Sequence, residues 1–382
     1  MRHTHSDRLE RWLGTDKVAQ ISAAMCNPAA KWYGKPIAVH GVPGRVYATK
    51  DGDFVGAIEA GQEMSVLDRA DDIMRRYVRE QRAARARQVA HVHRLRRDRH
   101  HAITSLDEAL AAYFGGGNRT FSFLKSGTTG VVNSTNTLWF VGSQPAAGAA
   151  AAAAPGGTVP TDATTGSWAF DNPTGGATQH FVFGNPIASV AANTLLLYDR
   201  LFSVTKTMAS TATEAVTGVP TRYQSTTPGA ADYAQNNFLM IECRTVLPAT
   251  AHNWTTCLYD DQDGSASTFP SMAGNSGAIV DRLDHPLGSW WMPLAANDVG
   301  VKELTQMQCS AAVATGAAWF MMGHPIAIMP CPVANLTCTT DGISSSLSLV
   351  RIFDDACLAL LEINKSATTA TNYNGGFRGV HN

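Results

Sequence analysis

From Ser167 to the C-terminus, short apolar runs recur every ten to twenty residues, with turn residues between them. That punctuation leaves no room for a long amphipathic helix and predicts an all-β body. The runs are His180–Phe183, Asn193–Val204, Phe238–Val246, Trp254–Tyr259, Ala278–Leu283, Gln306–Ala314, Trp319–Met322, Pro325–Met329, Leu336–Thr339, Leu347–Phe353 and Cys357–Ile363. Two earlier ones, Thr120–Leu124 and Val131–Val141, flank a Ser-Gly-Thr-Thr-Gly turn. The pattern predicts a β-sandwich or jelly-roll-like body over residues 118–382. Within it, residues 146–165 are low in complexity, with Ala149–Ala154 followed by Pro155-Gly-Gly157. That composition predicts an exposed loop, suited to a surface protrusion or an inter-subunit contact.

The first 117 residues read differently. Residues 1–64 form a predicted N-terminal arm: a short helix over Ser6–Met25, then one or two hairpins over Lys35–His40 and Arg45–Ala48. The breaks fall at Gly41–Gly44 and Asp51–Asp53. Residues 65–117 open with a strong helix pattern, Ser65–His101, capped by Ser65 and free of proline and glycine. At 1.5 Å per residue such a helix is roughly 55 Å long. Its seam (Leu67, Ala70, Met74, Tyr77, Gln81, Ala84, Gln88, His91, Leu95) is heptad-like but only half apolar, which predicts docking on another surface. A short helix over Leu106–Phe114 and a Gly115–Gly117 hinge follow.

Charge divides the chain along the same line. Residues 1–117 hold 19 Lys and Arg against 14 Asp and Glu, whereas the rest holds 11 against 17. Arg75, Arg76, Arg79, Arg82, Arg85, Arg87, Arg94, Arg96, Arg97 and Arg99 all fall in the long helix. They make it a candidate for non-specific phosphate contact, or for docking on an acidic neighbour such as a second subunit. With Tyr77 the single aromatic residue interleaved among the arginines, base stacking has little support and any nucleic-acid contact is to backbone.

Only 16 % of all residues are charged, against about 25 % in ordinary globular proteins. A membrane or extensive subunit contacts explain such a deficit. The uncharged run Ala311–Ala334 is long enough to span, but Gly323-His324-Pro325 interrupts it and Pro330 and Pro332 follow. It reads as two buried strands joined by a Gly-His-Pro turn, with no membrane partner. The polar first residues predict no signal peptide, hence a soluble chain made in a cytosol. The seven cysteines are scattered without a C-x-x-C pair, which predicts neither a disulfide framework nor a zinc site.

Little in the chain suggests catalysis. His252 and the Gly274-Asn-Ser276-Gly277 stretch imitate the histidine and serine boxes of trypsin-like proteases. The spacing is too short for that fold, so the stretch reads as a turn. Asp260-Asp261-Gln-Asp263-Gly264 resembles the start of a calcium loop but has Pro270 where a glutamate is required. His91, His93, His100 and His101 lie among arginines, which disfavours a metal. His285-Pro286, Trp290-Trp291 and Trp319 are candidates to line a ligand site, with core or interface roles as the alternative. The echo between Phe181–Ala188 and Phe320–Ala327 reads as shared turn chemistry. No catalytic residue, cofactor or metal is expected.

The texture of Asn193–Val204, Ala215–Tyr223, Phe320–Pro332 and Arg351–Glu362 resembles structural proteins of tailed-bacteriophage heads. The resemblance covers roughly residues 118–382. It implies a capsid-shell subunit surrounded by copies of itself and other virion proteins, located in the virion, made in the host cytoplasm, and able to touch packaged DNA. It also offers a second architecture, an α+β capsid fold with the long helix as spine. Alternative roles are a capsid decoration protein, or a tail or fibre protein recognising a receptor or glycan.

Overall fold

The computed structural model describes residues 36–39, 42–48, 54–57, 79, 83, 102–127, 129–247, 249–275, 280–313, 315–342, 349–363 and 365–381. The chain forms two units, Met1–Arg94 and Leu95–Asn382. In the first, β1 (Pro36–Val39), β2 (Val42–Ala48) and β3 (Phe54–Ala57) make an antiparallel sheet. β1 pairs with β2 and β2 with β3; β2 begins at Val42, inside the Gly41–Gly44 stretch read as a break, and β3 is not among the expected strands. Of the predicted long helix, Arg79 and Ala83 are helical and exposed; the rest lies outside the described residues.

The second unit is mainly β, as the punctuated pattern requires; among the described residues 39 % are strand and 4 % helix. Its centre is a five-stranded antiparallel sheet ordered β11 (Phe238–Thr245), β17 (Ala317–Cys331), β9 (Asn193–Lys206), β20 (Leu358–Ile363), β5 (Asn136–Thr137). The near-continuous apolar run of β9 is explained by burial of both its faces. Leu195 and Leu197 pack beneath a seven-stranded sheet, and Phe202 and Val204 beneath a four-stranded one. Leu196 and Tyr198 fill the opposite side with Met240, Trp319, Met321 and Leu361.

The seven-stranded sheet holds β4 (Asn118–Ser126), β6 (Ser143–Gln144), β7 (Gln179–Gly184), β8 (Ile187–Ala188), β18 (Thr340–Asp341), β19 (Arg351–Ile352) and β21 (Asn372–His381). The four-stranded sheet comprises β10 (Glu214–Ala215), β13 (Leu258–Asp261), β14 (Ala266–Thr268) and β16 (Val301–Met307). A small ribbon joins β12 (Asn253–Trp254) to β15 (Met272–Ala273).

Both outer strands of the central sheet are occupied by one segment. Asp281 N–H and Cys243 N–H bond the carbonyls of Cys243 and Arg282, and Asp284 N–H bonds that of Ile241. On its other side Thr137 N–H donates to Asp281 and Leu283 N–H to Thr135. Residues 281–284 thus join β11 to β5 and close the sheet on itself, leaving neither edge open for pairing. Asp281 turns the chain at φ 70° and is 7 % exposed. Burial pushes its carboxyl up to about 6, with Arg244 opposing. A raised carboxyl pKa means the folded state holds a proton that the unfolded chain releases, so this contribution fades as pH climbs from about 4 through about 6. Asp281→Asn keeps a residue tolerant of positive φ and removes the ionisation. It is expected to stabilise the protein at pH 7.5 by about 2 kcal/mol and to leave pH 4 stability unchanged, read from urea midpoints.

Three expectations need correction. The run Ala311–Ala334 does not turn at Gly323-His324-Pro325: β17 passes straight through it as one 15-residue strand. Register shifts at Met322/Gly323 and Pro325/Ala327 absorb the proline, which cannot donate to a regular ladder. The alanine-glycine stretch 146–165 is exposed or half-buried along nearly all its length, as expected, but it does not protrude. It lies along the half of β9 that β20 leaves unpaired, with Thr158 paired to Ser203 and Ala153 to Thr205. Finally, Gly115–Gly117 is a helix stop rather than a hinge. α1 (Leu106–Phe114) packs Ala109 and Ala112 against Val380, and a Cβ on Gly117 would lie 1.9 Å from the His381 carbonyl oxygen.

Candidate functional site

The body carries ionic groups at several buried positions, and most of them are closed by partners. On β9, Asp199 and Arg200 are neighbours and therefore point to opposite faces. Arg200 makes a two-pronged bond to Glu242 on β11 at 2.8 and 2.6 Å, and its guanidinium lies 4.8 Å over the Trp139 ring. Asp199 receives two bonds from Arg222 at 2.8 Å. Lys125, inward-facing on β4, donates to the carbonyls of Val141 and Pro145 at 2.8 and 2.7 Å. Burial brings its ammonium down to about 8. Burial also pushes the thiols of Cys257 and Cys357 up to about 11 and 12, the opposite of what a nucleophilic cysteine needs.

The protease-like histidine is closed too. His252 Nε2 lies 2.8 Å from Asp284 Oδ2, while Nδ1 faces the Thr250 carbonyl at 2.9 Å. An acceptor at each nitrogen favours the protonated ring; the bond to Asp284 is the largest cause of its raised pKa. No ring nitrogen is left to take a proton from a serine. Ser276 lies outside the described residues. Asp284 Oδ2 also accepts from Trp254 Nε1 at 2.8 Å, and Oδ1 from Asn275 N–H. The acidic turn at Asp260–Gly264 folds on itself: Asp261 Oδ1 accepts from the backbone of Asp263 and Ser265.

Of the aromatic candidates, Trp290 and Trp291 stand side by side, with His285 against the Trp291 backbone. Trp319 is buried edge-on against Phe140, and His285 sits inside, its Nε2 accepting from Ile241 N–H at 2.9 Å. Burial lowers the pKa of His285 to about 4. The two indoles, 3.6 Å apart between ring centres, line a cleft of about 530 Å³. Its wall includes Phe238 at the start of β11, Met292, Leu294, Val299, and Pro325 and Ile328 of β17. Met292 N–H bonds the Leu239 carbonyl and fixes the Trp-bearing segment to the sheet.

The polar groups around the cleft are mostly spent. Asn237 donates to the Tyr223 and Val301 carbonyls and accepts from His324 Nδ1. Asp298 accepts from the hydroxyls of Tyr259 and Ser267. What remains open is apolar: Trp291, Val299 and Ile328 of the cleft wall are 43–52 % exposed, and Leu287, elsewhere on the surface, is 53 % exposed. Such a surface can hold apolar or aromatic side chains, or the C–H face of a sugar.

Arg79 is helical and exposed, whereas Arg75, Arg76, Arg82, Arg85, Arg87, Arg94, Arg96, Arg97 and Arg99 lie outside the described residues. Among the described residues no helix is long and apolar enough to cross a membrane, and no group of three or more His, Cys, Asp or Glu is placed to hold a metal.

No family model matches the chain, and no curated protein matches it. A solved structure titled "Structure of infectious bursal disease virus Gt strain" aligns over 69 % of this chain and 80 % of that one, at 11 % identity and a TM-score of 0.13. A TM-score that low does not establish a shared fold.

Proposed function

We propose that the chain is a virion structural protein that assembles with copies of itself into a capsid shell, and that it is not an enzyme. The observation that carries this reading is the division of labour between inside and outside. Arg200, Asp199, Glu242, His252 and Asp284 are consumed by internal ion pairs, whereas Leu287, Trp291, Val299 and Ile328 stay open. Side chains of that kind on a charge-poor chain suit subunit contacts. Closure of the central sheet by residues 281–284 suits the same role, because a body repeated many times must not pair through its strand edges. The arginine-rich segment is assigned to the packaged nucleic acid, through phosphate contacts.

The test is the size distribution of purified protein. Wild type is expected in large uniform particles, and Trp291→Glu in smaller species that keep the wild-type circular dichroism spectrum. Wild-type monomers in several buffers would overturn the reading. A receptor-binding role is favoured only by the paired indoles. It predicts glycan binding that Trp290→Ala abolishes while particle size is unchanged.

A further inference from the structure

We propose that Lys365 and Asn136 become joined by an isopeptide bond that the chain forms on itself, with Glu362 as the acid–base group. Asn136 on β5 stands directly opposite Glu362 on β20 in the sheet. Lys365 follows two residues after β20 ends. Its backbone is clamped beside the segment that bears the amide, with Lys365 N–H donating to the Ser134 carbonyl and Asn133 N–H to that of Lys365, each at 2.8 Å.

The side chains converge on one carboxylate. Asn136 Nδ2 donates to Glu362 Oε2 at 2.8 Å, and Lys365 Nζ reaches Oε1 at 3.4 Å. Tyr373 donates its hydroxyl to Oε1 at 2.6 Å, and Thr371 Oγ1 lies 3.4 Å from the amine. Ser134 Oγ lies 3.5 Å from the amide oxygen Asn136 Oδ1. Asn136, Glu362, Lys365 and Thr371 are all fully buried. Among the described residues the other buried lysines and arginines lack this arrangement. Arg200, Arg222 and Arg282 are guanidiniums, Lys125 meets backbone carbonyls, and Lys206 meets Glu214 and backbone carbonyls.

The chemistry balances without an oxidant or a cofactor. Glu362 takes a proton from Nζ, and the freed lone pair attacks Cγ of Asn136. The oxygen of the tetrahedral intermediate develops its charge at Oδ1, and the Ser134 hydroxyl, which donates to the Val131 carbonyl at 2.7 Å, has to turn to meet it. Glu362 then hands its proton to Nδ2, the Cγ–Nδ2 bond breaks, and the nitrogen departs as ammonia. The second Nζ proton leaves with it, as ammonium, so one amide replaces another and Glu362 ends as it began. Exclusion of water protects the new bond from hydrolysis. The product would tie the short edge strand β5 to the segment after β20, across 229 positions of sequence.

Mass spectrometry of the denatured full-length chain decides the matter. Wild type is expected about 17 Da below its sequence mass, the mass of one ammonia. Because an asparagine succinimide loses the same mass, the deciding result is the tryptic digest. Trypsin should fail to cut after Lys365, and the Lys365 peptide should appear joined to the peptide containing Asn136. Lys365→Arg and Glu362→Gln should each give two separate peptides. Wild-type chain cut at Lys365, with Asn136 in an unlinked peptide, would overturn the proposal. That result needs only the wild type, so a variant that fails to fold does not obscure it.

Discussion

Replacing Glu242 by glutamine is expected to destabilise the protein by about 3–5 kcal/mol, the usual cost of stranding one partner of a buried ion pair. Arg200 and Glu242 are 1 % and 0 % exposed, so the guanidinium left behind has no water to turn to. It cannot escape by losing its proton, because arginine stays charged under any condition at which the protein folds. The glutamine also forfeits the two-pronged geometry, having one acceptor oxygen where the carboxylate has two. In a body of this size the loss lowers Tm by roughly 10 °C. Removing both partners is a different experiment. Arg200→Met with Glu242→Leu discards the desolvation cost together with the attraction, and should recover most of the lost stability. Urea unfolding of the two variants against wild type measures both effects. A double variant as unstable as the single one would mean that the pair contributes more than its own neutralisation.

Asp284→Asn is expected to cost about 2–4 kcal/mol at pH 6 and much less at pH 8. The asymmetry follows from His252. Its pKa is raised, chiefly by the bond to Asp284, so the folded state holds a proton that the unfolded chain begins to release near pH 6.5. A raised histidine contributes stability that is fully present below that value and is lost as pH climbs through the folded pKa. Without the carboxylate, the imidazolium loses its counter-charge and the pH dependence flattens. An asparagine keeps only one of the two acceptor oxygens that Trp254 Nε1 and Asn275 N–H use, so one of these donors is stranded and part of the cost persists at every pH. Urea midpoints of both proteins at pH 6 and pH 8 separate the two parts. Parallel shifts at the two pH values would mean that His252 is neutral in the folded protein.

Strands whose apolar runs are buried on both faces were legible in the sequence. β9, β11 and β20 lie within a residue or two of their expected limits, because no other local structure hides so long an apolar run. β21 was not legible. Its sequence Asn-Tyr-Asn-Gly-Gly-Phe-Arg-Gly-Val-His reads as a turn, yet Gly375 adopts φ 137° where a Cβ would lie 2.4 Å from the Asn185 carbonyl oxygen. The glycines mark a close backbone approach inside a strand. The Gly-His-Pro site in β17 misled for the mirror-image reason, since a bulge takes a proline as readily as a turn does.

The buried ion pairs left a trace that a strand reading passes over. Asp199-Arg200 is a charged couple inside the apolar run Leu195–Val204, and a strand buried on both faces needs a partner for each charge. Identifying Glu242 and Arg222 as those partners needed the fold, as did placing Trp290 and Trp291 beside Pro325 and Ile328. The same holds for Lys365, Glu362 and Asn136, whose alignment depends on β5 pairing with β20.

The most direct measurement is sedimentation velocity of the purified full-length chain at micromolar concentration, with the same sample viewed by electron microscopy. Assembly as a shell subunit predicts a megadalton boundary and closed particles of uniform diameter. A single slow boundary at the 40.7 kDa of one chain, unchanged across salt and pH and with nucleic acid added, would contradict it.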